Sequence, residues 1–83
     1  MQADFIKQLI EKEFPDSQVI VRGDDGVHFE AIVVTSAFEA KTLPQQHRLV
    51  YSALGGRMES GEIHALALRT FTPEAWKQHQ GAA

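Results

Sequence analysis

The stretch "GEIHALALRTFTPEAW", Gly61 to Trp76, decides how the rest of the chain is read. Ile63 to Phe71 alternates as a half-buried strand does. Thr72-Pro73-Glu74 then has the chemistry of a helix start. Threonine caps, proline takes the first helical position, and glutamate favours the positive end of the helix dipole. The chain thus passes from a strand into a last helix carrying Trp76. Near the strand's first residue stands His64, a metal-competent imidazole at the mouth of an otherwise apolar segment.

Upstream, His47, Val50, Tyr51, Leu54 and Met58 recur at spacings of three and four, which predicts a helix from Pro44. Gly55-Gly56 should end or bend it, with a short turn or helical piece running on to Gly61. Residues 35–43 lack periodicity and read as a loop. "QVIVR" (Gln18–Arg22), "GDDG" (Gly23–Gly26) and "VHFEAIVV" (Val27–Val34) read as a β-hairpin. In its second strand Val27, Phe29, Ala31 and Val33 face one way, and His28, Glu30, Ile32 and Val34 the other. Phe5, Ile6, Leu9, Ile10 and Phe14 predict a first helix, with Asp4 as N-cap and Pro15 as stop. The tail "QHQGAA" (Gln78–Ala83) reads as frayed.

The order is therefore helix, strand, strand, helix, strand, helix, an α+β chain. If the second and third strands are neighbours, the intervening helix makes them parallel. His28 and His64, each the second residue of its strand, would then share one end of the sheet.

Composition narrows the function. The 83 residues suit one domain, 1–83, with 43% hydrophobic and 23% charged side chains. No apolar run approaches the roughly 20 residues of a membrane span. The N-terminal "MQADFIKQLIEKEF" is acidic and amphipathic, unlike a secretion or transit signal, so a cytoplasmic location is expected. Without cysteine there is no disulfide framework, no thiolate nucleophile and no self-sufficient thiolate metal site. Ser17, Ser36, Ser52 and Ser60 fall in no elbow or triad pattern, and the carboxylates show no acid–base pairing, so no enzyme activity is expected.

The net charge is −3. Residues 1–40 carry eight acidic and three basic side chains, residues 41–83 three acidic and five basic. This weakly basic second half falls short of a strong nucleic-acid footprint. "GDDG" matches a nucleic-acid-binding Gly-x-x-Gly loop by pattern, but its aspartates repel phosphate and its place suits a hairpin turn. "GGRM" (Gly55–Met58) is better placed but degenerate.

Two histidines make an incomplete metal site, since structural zinc takes four ligands and catalytic zinc usually three. Glu30 or Asp25 can supply a third. Iron–sulfur clusters use thiolates, although histidine can replace them on one iron. A chain without cysteine can therefore hold a cluster only with a partner that brings sulfur. The plainer alternative is that His64 bonds to backbone within the sheet and His28 is solvated beside the turn. His47 lies in a helix and His79 in the tail.

"QQHRLVYSALGGRMESGEIHALALRTFTPEAW" (Gln45–Trp76) resembles the BolA family, whose members carry an Arg/His-rich helix start, a Val-Tyr pair, Ile-His-Ala-Leu and Thr-Pro-x-x-Trp. The match extends back through "GDDGVHFEAIVV" and covers essentially the whole chain; the short loop ending in His28 is most similar to the bacterial acid-stress branch. The resemblance implies a class II KH-like fold, a three-stranded mixed sheet with helices packed on one face. It also implies a chain monomeric alone that forms a heterodimer with a monothiol glutaredoxin. The pair shares a [2Fe–2S] cluster, in iron–sulfur trafficking and stress response. His64 matches the family's near-invariant C-terminal histidine and His28 its variable His-or-Cys loop position. The glutaredoxin active-site cysteine and glutathione supply the other ligands. Some members are described as DNA-binding transcriptional regulators. On that alternative Lys41, Arg48 and Arg57 would meet DNA, weakly. The sequence departs from the family pattern at Gln46, where many members have arginine.

Overall fold

Ile6 and Ile10, four residues apart, are both completely shielded from solvent, which fixes the inward face of the first helix, α1 (Ala3–Glu13). The computed structural model describes residues 2–63 and 65–81. Helix α1 starts earlier than expected. Gln2 is its N-cap, and Asp4 lies inside the first turn, where its carboxylate meets the positive end of the helix dipole. The helix stops at Glu13, ahead of Pro15.

Strand β1 (Gln18–Arg22) pairs antiparallel with β2 (His28–Val34), Val19 opposite Val33 and Val21 opposite Ala31. The expected start of β2 at Val27 is one residue early, because the Asp25 side chain accepts the Val27 amide and keeps that residue in the turn. Phe29, Ala31 and Val33 are buried and His28 and Glu30 exposed, as alternation required. Val34, assigned to the outer face, is also buried. It sits opposite Phe71, at the end of the sheet where Trp76 packs on that ring.

The loop expected over 35–43 holds a single 3-10 turn, Ser36–Phe38, closed by Thr35 Oγ1 accepting the Ala37 amide. One turn is too short to show periodicity, yet it drives Phe38 fully into the core, edge-on to Phe14 at 5.8 Å. Helix α2 (Leu43–Ala53) begins one residue before Pro44. Thr42 Oγ1 accepts the Gln45 amide and Gln45 Oε1 accepts the Thr42 amide, a reciprocal capping box. Val50 and Leu54 are fully buried, whereas Tyr51 is exposed. Gly55 takes a φ of 64°, ending the helix as expected, and the short α3 (Arg57–Ser60) follows.

Strand β3 (Ala65–Phe71) runs parallel to β2 from His28 opposite Ala65 to Val34 opposite Phe71. The mixed sheet has the order β1-β2-β3. The expected strand start at Ile63 is corrected. The Ile63 amide donates to the Arg57 carbonyl, and its side chain is fully buried on the approach to β3.

The core lies between the sheet and the two longer helices, with Ile6, Ile10, Val50 and Leu54 meeting Val19, Phe29 and Val33. Burying each large aliphatic side chain stabilises the fold by about 1.5–3 kcal/mol. Helix α4 (Pro73–Gly81) is capped by Thr72 Oγ1, which accepts the Ala75 amide. It does not fray at Gln78. His79, expected in a tail, lies in this helix with its ring stacked on Trp76 at 5.5 Å and 5.1 Å from Phe71. The described chain is thus α+β with four helices, none long and apolar enough to cross a membrane.

Candidate metal site at the start of the parallel strands

The turn between β1 and β2 is shaped by two glycines. Gly26 takes a φ of 82°. Gly23 lies so close to the returning strand that a Cβ would stand 2.5 Å from Phe29 Cδ1 and 2.6 Å from the His28 carbonyl oxygen. Between them Asp25 turns back on the chain. Its Oδ1 accepts the Val27 amide at 3.0 Å and the His28 amide at 2.8 Å, an Asx-type closure. Its Oδ2 lies 2.6 Å from His28 Nδ1.

These contacts hold the Asp25 carboxyl well below the usual carboxylate range. The His28 amide contributes most, then the Val27 amide, then the His28 ring. The His28 side chain remains 58% exposed. It stands at the first residue of β2, on the face away from the core, with Arg22, Asp24, Glu30, Ala65 and Ala67 around an open depression.

The topology brings the expected strand ends together. The Ala65 amide donates to the Val27 carbonyl at 3.1 Å, and His28 pairs with Ala65. His64, expected as the other ligand, lies outside the described residues. The strands begin at His28 and Ala65 rather than at Val27 and Ile63.

Asp25, considered as a third ligand, already uses both oxygens on the turn and the His28 ring. Glu30 lies two residues further along β2, opposite Arg22 and Ala67. Among the described residues no three His, Cys, Asp or Glu side chains gather to hold a metal ion. The chain has no cysteine and so brings no thiolate donor of its own. The Asp25–His28 contact was missed in the sequence. Its legible signal is an aspartate three residues before a histidine inside a glycine-bounded turn.

The cations of the alternative reading are strung along α2 rather than clustered. Lys41 precedes the helix, Arg48 is exposed in its middle, and Arg57 lies beyond its end. Eleven residues at about 1.5 Å each separate the helix ends by roughly 16 Å. Arg57 already has structural duties. Its Nη1 donates to the Leu54 carbonyl at 2.9 Å, its guanidinium covers the Phe5 ring, and its Nε lies 3.7 Å from Glu62. Gln46, the departure from the family pattern, is buried rather than surface-facing.

A family profile described as BolA-like protein matches residues 6–75. A bolA homologue of known structure from Coxiella burnetii is 47% identical, with a TM-score of 0.80 over 93% of this chain and 97% of that one. An uncharacterized Acinetobacter guillouiae protein from the rpoN-murA intergenic region is 32% identical over 94% of this chain and 93% of its own length. A Haemophilus influenzae protein named DNA-binding transcriptional regulator BolA is also 32% identical, over 87% of this chain and 78% of its own.

Proposed function

This chain belongs to the BolA family, and on that premise we propose that it is a non-enzymatic, cytoplasmic partner of monothiol glutaredoxins in iron–sulfur cluster handling. In this reading His28 and His64 contribute two imidazole ligands to a bridging [2Fe–2S] cluster. The glutaredoxin cysteine and glutathione contribute the thiolates that this chain lacks. The observation that supports it best is the exposed His28 imidazole, held by Asp25 at the end of β2 beside the start of β3. A donor set of imidazoles without thiolate favours a shared cluster over a resident one.

Anaerobic reconstitution tests this reading. The chain alone, glutaredoxin with glutathione, and the mixture are each supplied with iron and sulfide. A visible-range spectrum specific to the mixture is expected. A persistent, stoichiometric cluster on the isolated chain contradicts it.

A second reading, a DNA-binding regulator, is favoured by the name of the Haemophilus influenzae relative. Exposed Lys41 and Arg48 offer phosphate contacts. The net charge of −3 and the aspartates of "GDDG" oppose strong binding. Nanomolar, sequence-selective affinity at about 150 mM salt would make it the primary function.

A further inference from the structure

We propose that Asp25 is a positioning residue for His28, fixing the imidazole so that Nε2 is the nitrogen that ligates the shared cluster. This rests on the glutaredoxin-partner reading above and assigns a role to a residue outside its ligand set.

The geometry separates two tasks on the two carboxylate oxygens. Oδ1 closes the turn by accepting the Val27 and His28 amides. Oδ2 makes no contribution to that closure; it meets His28 Nδ1 at 2.6 Å. An ionised carboxylate only accepts hydrogen bonds, so Nδ1 carries the proton in this contact. In a neutral imidazole that makes Nε2 the lone-pair nitrogen.

The contact also restrains the rotation of a side chain that is 58% exposed. A carboxylate behind a ligating histidine sets its tautomer, orients its ring and raises its basicity, and losing such a partner costs about 10–100-fold in metal affinity. Because Asp25 lies in the same five-residue connection as Gly23 and Gly26, the turn and the ring orientation are set by one local structure.

Asp25→Asn separates positioning from turn formation. The asparagine carbonyl can keep the bonds to the Val27 and His28 amides. Its NH2 group would face Nδ1 and donate to it, which favours the opposite tautomer with the proton on Nε2. Asp25→Ala removes both functions.

The first arm uses histidine-labelled protein without cluster, at about pH 8.5, above the ordinary imidazole range. Long-range proton–nitrogen NMR correlations read the ring. The expected result is an Nδ1–H tautomer in the wild type and a shift toward Nε2–H in Asp25→Asn, with the Val27 and His28 amide shifts retained. A wild-type ring in the Nε2–H form, or no change in the variant, overturns the proposal.

The second arm measures cluster occupancy with monothiol glutaredoxin and glutathione. Asp25→Asn is expected to lower apparent affinity at least about tenfold. Wild-type affinity in a variant whose tautomer has changed overturns the ligation role. If the wild-type mixture forms no cluster, the partner reading and the ligation role fail together. An Nδ1–H ring in the first arm then shows that the failure lies in the partner rather than in the Asp25–His28 geometry.

Discussion

Gln46 Oε1 accepts a 2.6 Å hydrogen bond from the Thr70 hydroxyl, joining α2 to β3 inside the protein. The same amide donates through Nε2 to the Lys41 carbonyl at 3.0 Å and the Phe38 carbonyl at 3.4 Å. One side chain thus satisfies the segment before α2, the 3-10 turn and the third strand. Gln46→Ala leaves Thr70 and these carbonyls without that partner, at an expected cost of about 1–3 kcal/mol. Urea unfolding checks this. A loss below 0.5 kcal/mol, on the order of a neutral surface change, contradicts it.

Gly23→Ala should destabilise through close approach rather than backbone angle. The new Cβ meets the His28 carbonyl as well as the Phe29 ring, and a carbonyl fixed in a strand cannot swing away as a flexible side-chain end can. The expected loss is about 1–3 kcal/mol, with altered His28 amide shifts. Thermal unfolding and amide NMR report both, and an unchanged melting temperature would count against the packing described.

Asp25 gives the turn a defined acid sensitivity. Its folded acidity lies below the unfolded value of 3.8, so its stabilisation is fully present above that value. It is lost as pH falls below 3.8 toward the lower folded value. Between pH 6 and about 2 the wild type should lose a small increment of stability that Asp25→Ala does not lose. Solvent screening keeps this increment modest. Parallel pH profiles for the two proteins would show that the turn does not depend on the ionised carboxylate.

Arg48 and Arg57 should respond differently to alanine substitution. Arg57→Ala removes cover from Phe5 and a donor from the Leu54 carbonyl, with an expected cost of about 1 kcal/mol. Arg48→Ala, at an exposed position, should stay within about 0.5 kcal/mol. Arg48 is therefore the cleaner probe of phosphate contact. If it meets DNA, its removal lowers the salt slope of binding by about one. Equal stability losses in the two variants would contradict the assignment of structural duties to Arg57.

Several features of the fold were legible because they depend on local pattern. The alternation of Phe29, Ala31 and Val33 marked the buried face of β2, and Thr72-Pro73 marked the start of α4. The parallel sense of β2 and β3 was legible only on condition that they were neighbours. That adjacency comes from the structure, because a crossover helix of adequate length does not fix which strand lies beside which. Phe38 was not legible, since a 3-10 turn of three residues presents no period. Nor was Gln46, because a polar residue becomes a core residue only when Phe38, Lys41 and Thr70 converge on it. At the site, His28 and its exposure were readable from the turn, but the use of both Asp25 oxygens was not. That arrangement needs the backbone to turn back on itself, which Gly23 and Gly26 permit without encoding the partner.

In the proposed function His28 and His64 ligate a cluster shared with a monothiol glutaredoxin. Visible circular dichroism of the reconstituted mixture, comparing wild type with His28→Ala and His64→Ala, tests it most directly. His64→Ala should abolish or strongly alter the wild-type spectrum. His28→Ala should change it more mildly, because a ligand at a loop end is more readily replaced by water or a neighbour. Both variants should keep wild-type far-ultraviolet spectra. Unchanged visible spectra in both variants would leave the two histidines without a role in ligation and rule out the shared site.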